Sequence, residues 1–135
     1  MVARGIRNNN PGNIRHGDKW QGLAAEQTDS SFCVFTSAEY GIRALAKVLL
    51  NYEKKYGLNT VKKIINRYAP PNENDTGSYI QSVAGQLGVN PDDVIDINNQ
   101  AVMLILVKAI IRHENGEQPY NNETLLKGIK MAGVK

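Results

Sequence analysis

Apolar positions recur at helical spacing through most of the chain after residue 36. Ile42, Leu45, Ala46, Leu49 and Tyr52 mark one face of a first helix. Thr36 and Glu39 fit a capping box at its start, and Gly57 predicts its end. Thr60 is the expected N-cap of a second helix carrying Val61, Ile64, Ile65 and Tyr68. That helix should stop at Ala69-Pro70-Pro71, because proline excludes the α region for the residue before it. A polar loop, NENDT, leads to a third helix over about 76 to 87, closed by Gly88. Pro91-Asp92-Asp93 predicts a short turn. The run QAVMLILVKAIIR, residues 100 to 112, continues the pattern as a fourth helix, apolar nearly all round and so expected at the centre of the core. A last amphipathic helix is expected over 121 to 132, with Leu125, Leu126, Ile129 and Met131.

The N-terminal part follows another rule. Residues 4 to 22 hold Asn, Gly, Pro and Arg without a helical period and read as an ordered loop rich in side-chain amides. Residues 23 to 35 predict a short hairpin, with turn chemistry at Thr28-Asp29-Ser30-Ser31 and a strand at Phe32-Cys33-Val34-Phe35. The expectation is a mainly α (α+β) fold, residues 1–135 in one domain, with a small β-hairpin near the N-terminus.

Composition narrows the partners. A net charge of +3 suits an anionic polymer without demanding one. The basic residues are dispersed and not interleaved with stacking aromatics, so no nucleic-acid partner is expected. One cysteine and two histidines give neither a disulfide nor a metal pattern, and no cofactor is expected. The longest apolar stretch is broken by Lys108 and too short to span a bilayer, so no stable membrane insertion is expected. The opening MVARGIRNNNPG has no apolar core of a signal peptide. The expectation is synthesis in the cytoplasm and, for action on a wall, delivery by a holin, a virion or a secretion system.

The fourth helix delivers His113-Glu114-Asn115-Gly116 to its C-terminal end, where the helix dipole disfavours a carboxylate. Glu114 is either an ordinary solvated residue or one whose proton is wanted there. At the end of a buried helix, desolvation can raise its pKa.

Several segments together resemble the lysozyme superfamily of peptidoglycan hydrolases: NNNPGNI (8 to 14), Trp20-Gln21-Gly22, FCVF (32 to 35) and SAEYGIRALAKVLLNY (37 to 52). The parallels are bacterial and phage glucosaminidase-type enzymes. The stretch INRYAPPNENDTGSYIQSV (65 to 83) is similar to a segment of lytic transglycosylases and phage muramidases. In that superfamily the catalytic glutamate ends a core helix that precedes the Asn-rich turn. Here the turn begins at residue 8, and the matching helix end, IIRHENGEQPY, comes late in the chain. The resemblance therefore implies a circularly permuted lysozyme-like domain in which the N-terminal loop returns beside Glu114.

It also implies cleavage of peptidoglycan glycan strands by a monomer, with Glu114 as general acid. Glu26, and after it Asp29, are the candidates for a second acid. Without one, the substrate's N-acetyl group or 6-hydroxyl can serve. Asn10, Asn13, Trp20, Tyr68 and Tyr79 are candidate cleft residues, since amino-sugars bind through stacking and amide hydrogen bonds. Each has a plainer reading: the amides as loop structure, the tyrosines as core, Glu26 and Asp29 as hairpin polars, Glu39 as a cap. Glu117 is close enough to be confused with Glu114, and His113 either tunes Glu114 or lies idle on the surface. Other classes are a virion structural or wall-binding protein on the same fold, and a Cys33–His113 peptidase, which lacks a helix N-terminus to activate the thiol.

Overall fold

The computed structural model describes residues 2–69 and 75–135. The element order is α1 (Arg4–Arg7), α2 (Ala38–Tyr56), α3 (Val61–Tyr68), α4 (Thr76–Leu87), α5 (Gln100–Asn115) and α6 (Asn122–Met131), so the protein is mainly helical. Pro70, Pro71 and residues 72–74 of the loop expected before α4 lie outside the described residues.

Local chemistry sets the helix starts. Thr60 accepts from the Lys63 amide as expected, Asp75 from Ser78, Asn99 from Val102 and Asn121 from Thr124. The capping box expected at Thr36 and Glu39 does not form. Ser37 is the N-cap of α2 and gives no side-chain cap. Thr36 is instead taken by the returning loop, its amide and its hydroxyl both donating to the Gly22 carbonyl. Gly57 and Gly88 end α2 and α4 in left-handed conformation, as the sequence predicts.

α5 is the central helix. Met103, Leu106, Val107, Ile110 and Ile111 are buried on it, and it packs against α1, α2, α4 and α6. The remaining core pairs are α2 with α6 and α3 with α4. Close packing of α2 on α6 uses Gly128, where a side chain would strike Ile42 and the Glu39 carbonyl. A satellite cluster of Cys33, Phe35 and Ala44 is flanked by Trp20, Leu23 and Tyr40.

The N-terminal region departs from expectation in two ways. Arg4–Arg7 forms one helical turn inside what reads as loop. The hairpin reduces to isolated antiparallel bridges, Leu23 with Phe35 and Arg15 with Phe32, and no regular strand forms among the described residues. The cause is competition for backbone groups. The Gln27 side chain both donates to and accepts from Val34, while the Phe35 amide donates to the Asn8 carbonyl and the Cys33 amide to that of Ile14. The segment 32–35 thus pairs with only Leu23 and Ala24 of the expected partner strand and spends its other backbone groups tying the Asn-rich loop down.

Candidate active site

Two residues at the end of α5, Glu114 and Asn115, meet the N-terminal loop. Asn115 donates through Nδ2 to the Pro11 carbonyl at 2.8 Å and to the Ile111 carbonyl one turn back at 2.9 Å. Gly116, at φ 76°, turns the chain out of the helix. Glu114 therefore stands on the last turn, with its carboxylate toward the loop, where Asn13 Nδ2 donates to Oε1 at 3.4 Å.

The loop is built to hold that amide. Asn10 is fully buried; its Nδ2 donates to the Ile14 and Cys33 carbonyls, and its Oδ1 accepts from the Ile14 amide. Its side chain is a structural tie and leaves nothing for a ligand. Asn9 and Asn13 adopt left-handed φ of 53° and 52°, which Asn tolerates better than most residues. The first turn docks through Gly5. A Cβ there would lie 2.5 Å from Asn115 Oδ1, 2.6 Å from Asn13 Oδ1 and 2.9 Å from the Asn10 carbonyl, so no side chain fits. Both amide oxygens are buried without a hydrogen-bond partner, which leaves the Gly5 Cα–H groups as their neighbours.

Beside this junction lies a cleft of about 480 Å³ lined by Glu114, Asn13, Arg15, Phe32, Tyr52 and Tyr68 among others. Tyr68 donates its hydroxyl to the Gly12 carbonyl. Burial raises its pKa well above the ordinary range, and the charge of Glu114 adds to the effect. Tyr79 is fully buried behind the site. Its ring stacks on His113 at 3.6 Å and 14°, and its hydroxyl has no partner. Its pKa is raised by burial first and by Glu114 second. His113 is thus engaged with Tyr79 rather than hydrogen-bonded to Glu114. Burial also raises the pKa of Glu114, and the Asn13 hydrogen bond only partly opposes it. The arrangement makes Glu114 a weaker acid than a free glutamate and opens it onto a cleft of phenol, amide and guanidinium groups.

The two candidate second acids are elsewhere. Asp29 has a side chain only 8 % exposed and is saturated with donors. Arg4 reaches both its oxygens at 2.6 Å, Asn8 donates at 2.9 Å, and the amides of Ser31 and Phe32 donate at 2.9 and 3.0 Å. The Arg4 hydrogen bond foremost, then the others, hold its pKa far below the usual carboxylate range. Glu26 is exposed on the loop and does not line the cleft. Among the described residues Glu114 is the one carboxylate that does. Trp20 packs on the satellite cluster with its indole N–H buried and unpaired, away from the cleft lining. Glu117 is exposed.

The pairing of Cys33 with His113 is not what the fold makes. The Cys33 thiol is buried 3.9 Å from His16 Nδ1, and burial raises its pKa, the reverse of an activated nucleophile. No helix among the described residues is long and apolar enough to cross a membrane.

Arg15, Phe32, Val48 and Tyr52 line the cleft in addition to the residues the sequence nominates for it. Val48 and Tyr52 lie one turn apart at the edge of the apolar stripe of α2, a place where core and cleft share one period. Arg15 follows the Asn-rich turn directly, and nothing in its spacing marks it.

No known family profile matches the chain. It is 39% identical over 133 residues to Protein P5 of Pseudoalteromonas phage PM2, a match covering 96% of this chain and 81% of that protein. The chain belongs to the family of that phage protein.

Proposed function

We propose that this chain is a lysozyme-like muralytic enzyme that cuts the glycan strands of peptidoglycan, with Glu114 as general acid. The observation that carries the reading is Glu114 itself: half-buried on the last turn of the core helix, biased toward its protonated form, and open to a cleft. Glycosidic cleavage needs a carboxylic acid in that state to protonate the leaving oxygen. The loop amide at Asn13 and the phenols of Tyr52 and Tyr68 suit an N-acetylated sugar.

Among the described residues Glu114 is the one carboxylate lining the cleft, and this favours one version of the chemistry. Glu114 gives its proton to the bridging oxygen as the bond to the anomeric carbon breaks. The resulting carboxylate then takes a proton from the nucleophile. With no second carboxylate lining the cleft among the described residues, the sugar's own groups close on the anomeric carbon: the N-acetyl oxygen gives an oxazolinium ion that water opens, losing a proton to Glu114, or the 6-hydroxyl attacks, loses its proton to Glu114 and leaves an anhydro end. Placement of the Asn-rich loop against a helix end that follows it in the chain supports a circular permutation of the lysozyme-like arrangement. The phage origin of the relative supports an endolysin or virion-associated role, with access provided by a holin or the particle.

A second reading keeps the fold and the cleft without catalysis, as a virion structural or wall-binding protein. That no second acid lines the cleft among the described residues is the observation in its favour.

The test is clearance of outer-membrane-stripped sacculi by wild type and by Glu114→Gln, with mass spectrometry of released fragments. Loss of a general acid should cost about 10²–10⁴-fold in rate, and anhydro ends should appear with the wild type. Equal clearance by both proteins would remove Glu114 from the chemistry. Binding without clearance by either would favour the wall-binding reading.

A further inference from the structure

Two guanidinium groups lie over the Phe32 ring in cation–π contact, Arg4 at 4.7 Å from its centroid and Arg15 at 4.8 Å. Arg4 is neutralised by its two-pronged pair with Asp29. Arg15 is exposed, lines the cleft, and has no carboxylate within ion-pair distance among the described residues. Glu114 shares the cleft but is half-buried and held by Asn13.

The base of Arg15 is fixed. Its backbone bridges to Phe32, and its carbonyl accepts from the Cys33 thiol at 3.5 Å. The cation–π contact with Phe32 then restricts the long side chain. The five N–H donors lie in its plane and stay available, so much of the ordering cost of binding is met in advance. The partner that matches a planar fork of donors is a carboxylate.

We propose that Arg15 is a specificity-determining residue that binds a carboxylate carried by the glycan, so that the cleft prefers acidic strands to neutral ones. This rests on the reading of the cleft as a glycan site. Peptidoglycan supplies carboxylates from two sources: the lactyl group of a muramic residue freed of peptide, and the stem peptide itself. A polymer of N-acetylglucosamine alone supplies none.

The experiment measures binding by calorimetry to Glu114→Gln, which does not consume the glycan. Three tetrasaccharides serve as probes: alternating N-acetylglucosamine and N-acetylmuramic acid with free lactyl carboxylates, the same with stem peptides, and chitotetraose. One acidic probe should bind at least about tenfold tighter than chitotetraose, the scale of one charge-assisted hydrogen-bonded contact. Whichever of the two it is names the source. Adding Arg15→Ala should bring the ratio close to one, and Arg15→Lys should restore only part of it, since a point charge lacks the fork. Equal binding of all three probes, or a preference that survives Arg15→Ala, overturns the assignment while leaving the glycan reading standing. Binding of none of the three overturns the glycan reading and the assignment with it.

Discussion

Asp29 and Glu114 are carboxylates set at two ends of the same loop system, and the chain treats them oppositely. Asp29 collects two bonds from Arg4, one from Asn8 and two from backbone amides. Glu114 has one long bond from Asn13 in a half-buried place. The first carboxylate is therefore pinned in its charged form, and the second is biased toward its neutral form. A group saturated with donors holds structure together and has no capacity left for chemistry. A group that burial leaves short of donors costs stability when it ionises, which is the condition under which it can give a proton to something else. The contrast separates an anchor from a candidate acid without reference to any relative.

The largest effect should come from the joint that holds the two regions in register. Gly5→Ala would put a methyl group within 2.5 to 2.9 Å of Asn115 Oδ1, Asn13 Oδ1 and the Asn10 carbonyl. Overpacking of this kind costs about 1–3 kcal/mol, and relief requires Asn13 and Asn115 to move. The variant should lose stability by chemical denaturation and lose sacculus clearance more steeply than its stability alone explains. A variant with unchanged stability and activity would show that the junction at Gly5 does not hold the site.

Asp29→Asn breaks the anchor and leaves the cleft carboxylate in place. Arg4 loses its countercharge, and at least one backbone donor or Asn8 loses an acceptor. The melting temperature should fall by several degrees at neutral pH. The folded-state pKa of Asp29 is depressed, so its contribution is complete above the unfolded value of about 3.9 and is lost as pH falls toward the folded one. Wild type and variant should therefore melt apart at pH 7 and draw together below about pH 4. A pH-independent gap would mean that shape, and not charge, gives Asp29 its role.

Helices were the legible part of this sequence. The period of the apolar residues, together with caps at Thr60 and stops at Gly57 and Gly88, carried the bounds of α2 to α6 to within a residue or two, because these are local signals. Thr36 misled because its hydroxyl had a better partner fourteen residues back, at Gly22, and such a partner leaves no trace in spacing. The hairpin shrinks to the Leu23–Phe35 pairing for the same reason: past Ala24, the Gln27 side chain takes the Val34 amide that a strand neighbour would have taken. At the site, Glu114 and Asn13 drew notice as a misplaced acid and an Asn-rich turn. Asp29 read as a possible acid because its use is decided by Arg4, twenty-five residues away. Arg15 was invisible, since what distinguishes it from Arg4 is the lack of a partner in space.

The smallest effect is the most direct comparison of the two carboxylates. Burial raises the folded-state pKa of Glu114, so the folded protein holds that proton more tightly than the unfolded chain. Stability from this group is complete below the unfolded pKa, about 4.3, and is lost as pH rises through the folded value. Glu114→Gln keeps the size and the Asn13 contact and cannot ionise. At pH 4 the two proteins should melt together. At pH 7 to 8 the variant should melt a few degrees higher, the reverse of Asp29→Asn. Differential scanning fluorimetry across that range measures it without substrate. A variant that melts lower than wild type at neutral pH would mean that the charged form of Glu114 is stabilised in the fold, and the case for a poised acid at the end of α5 would fail.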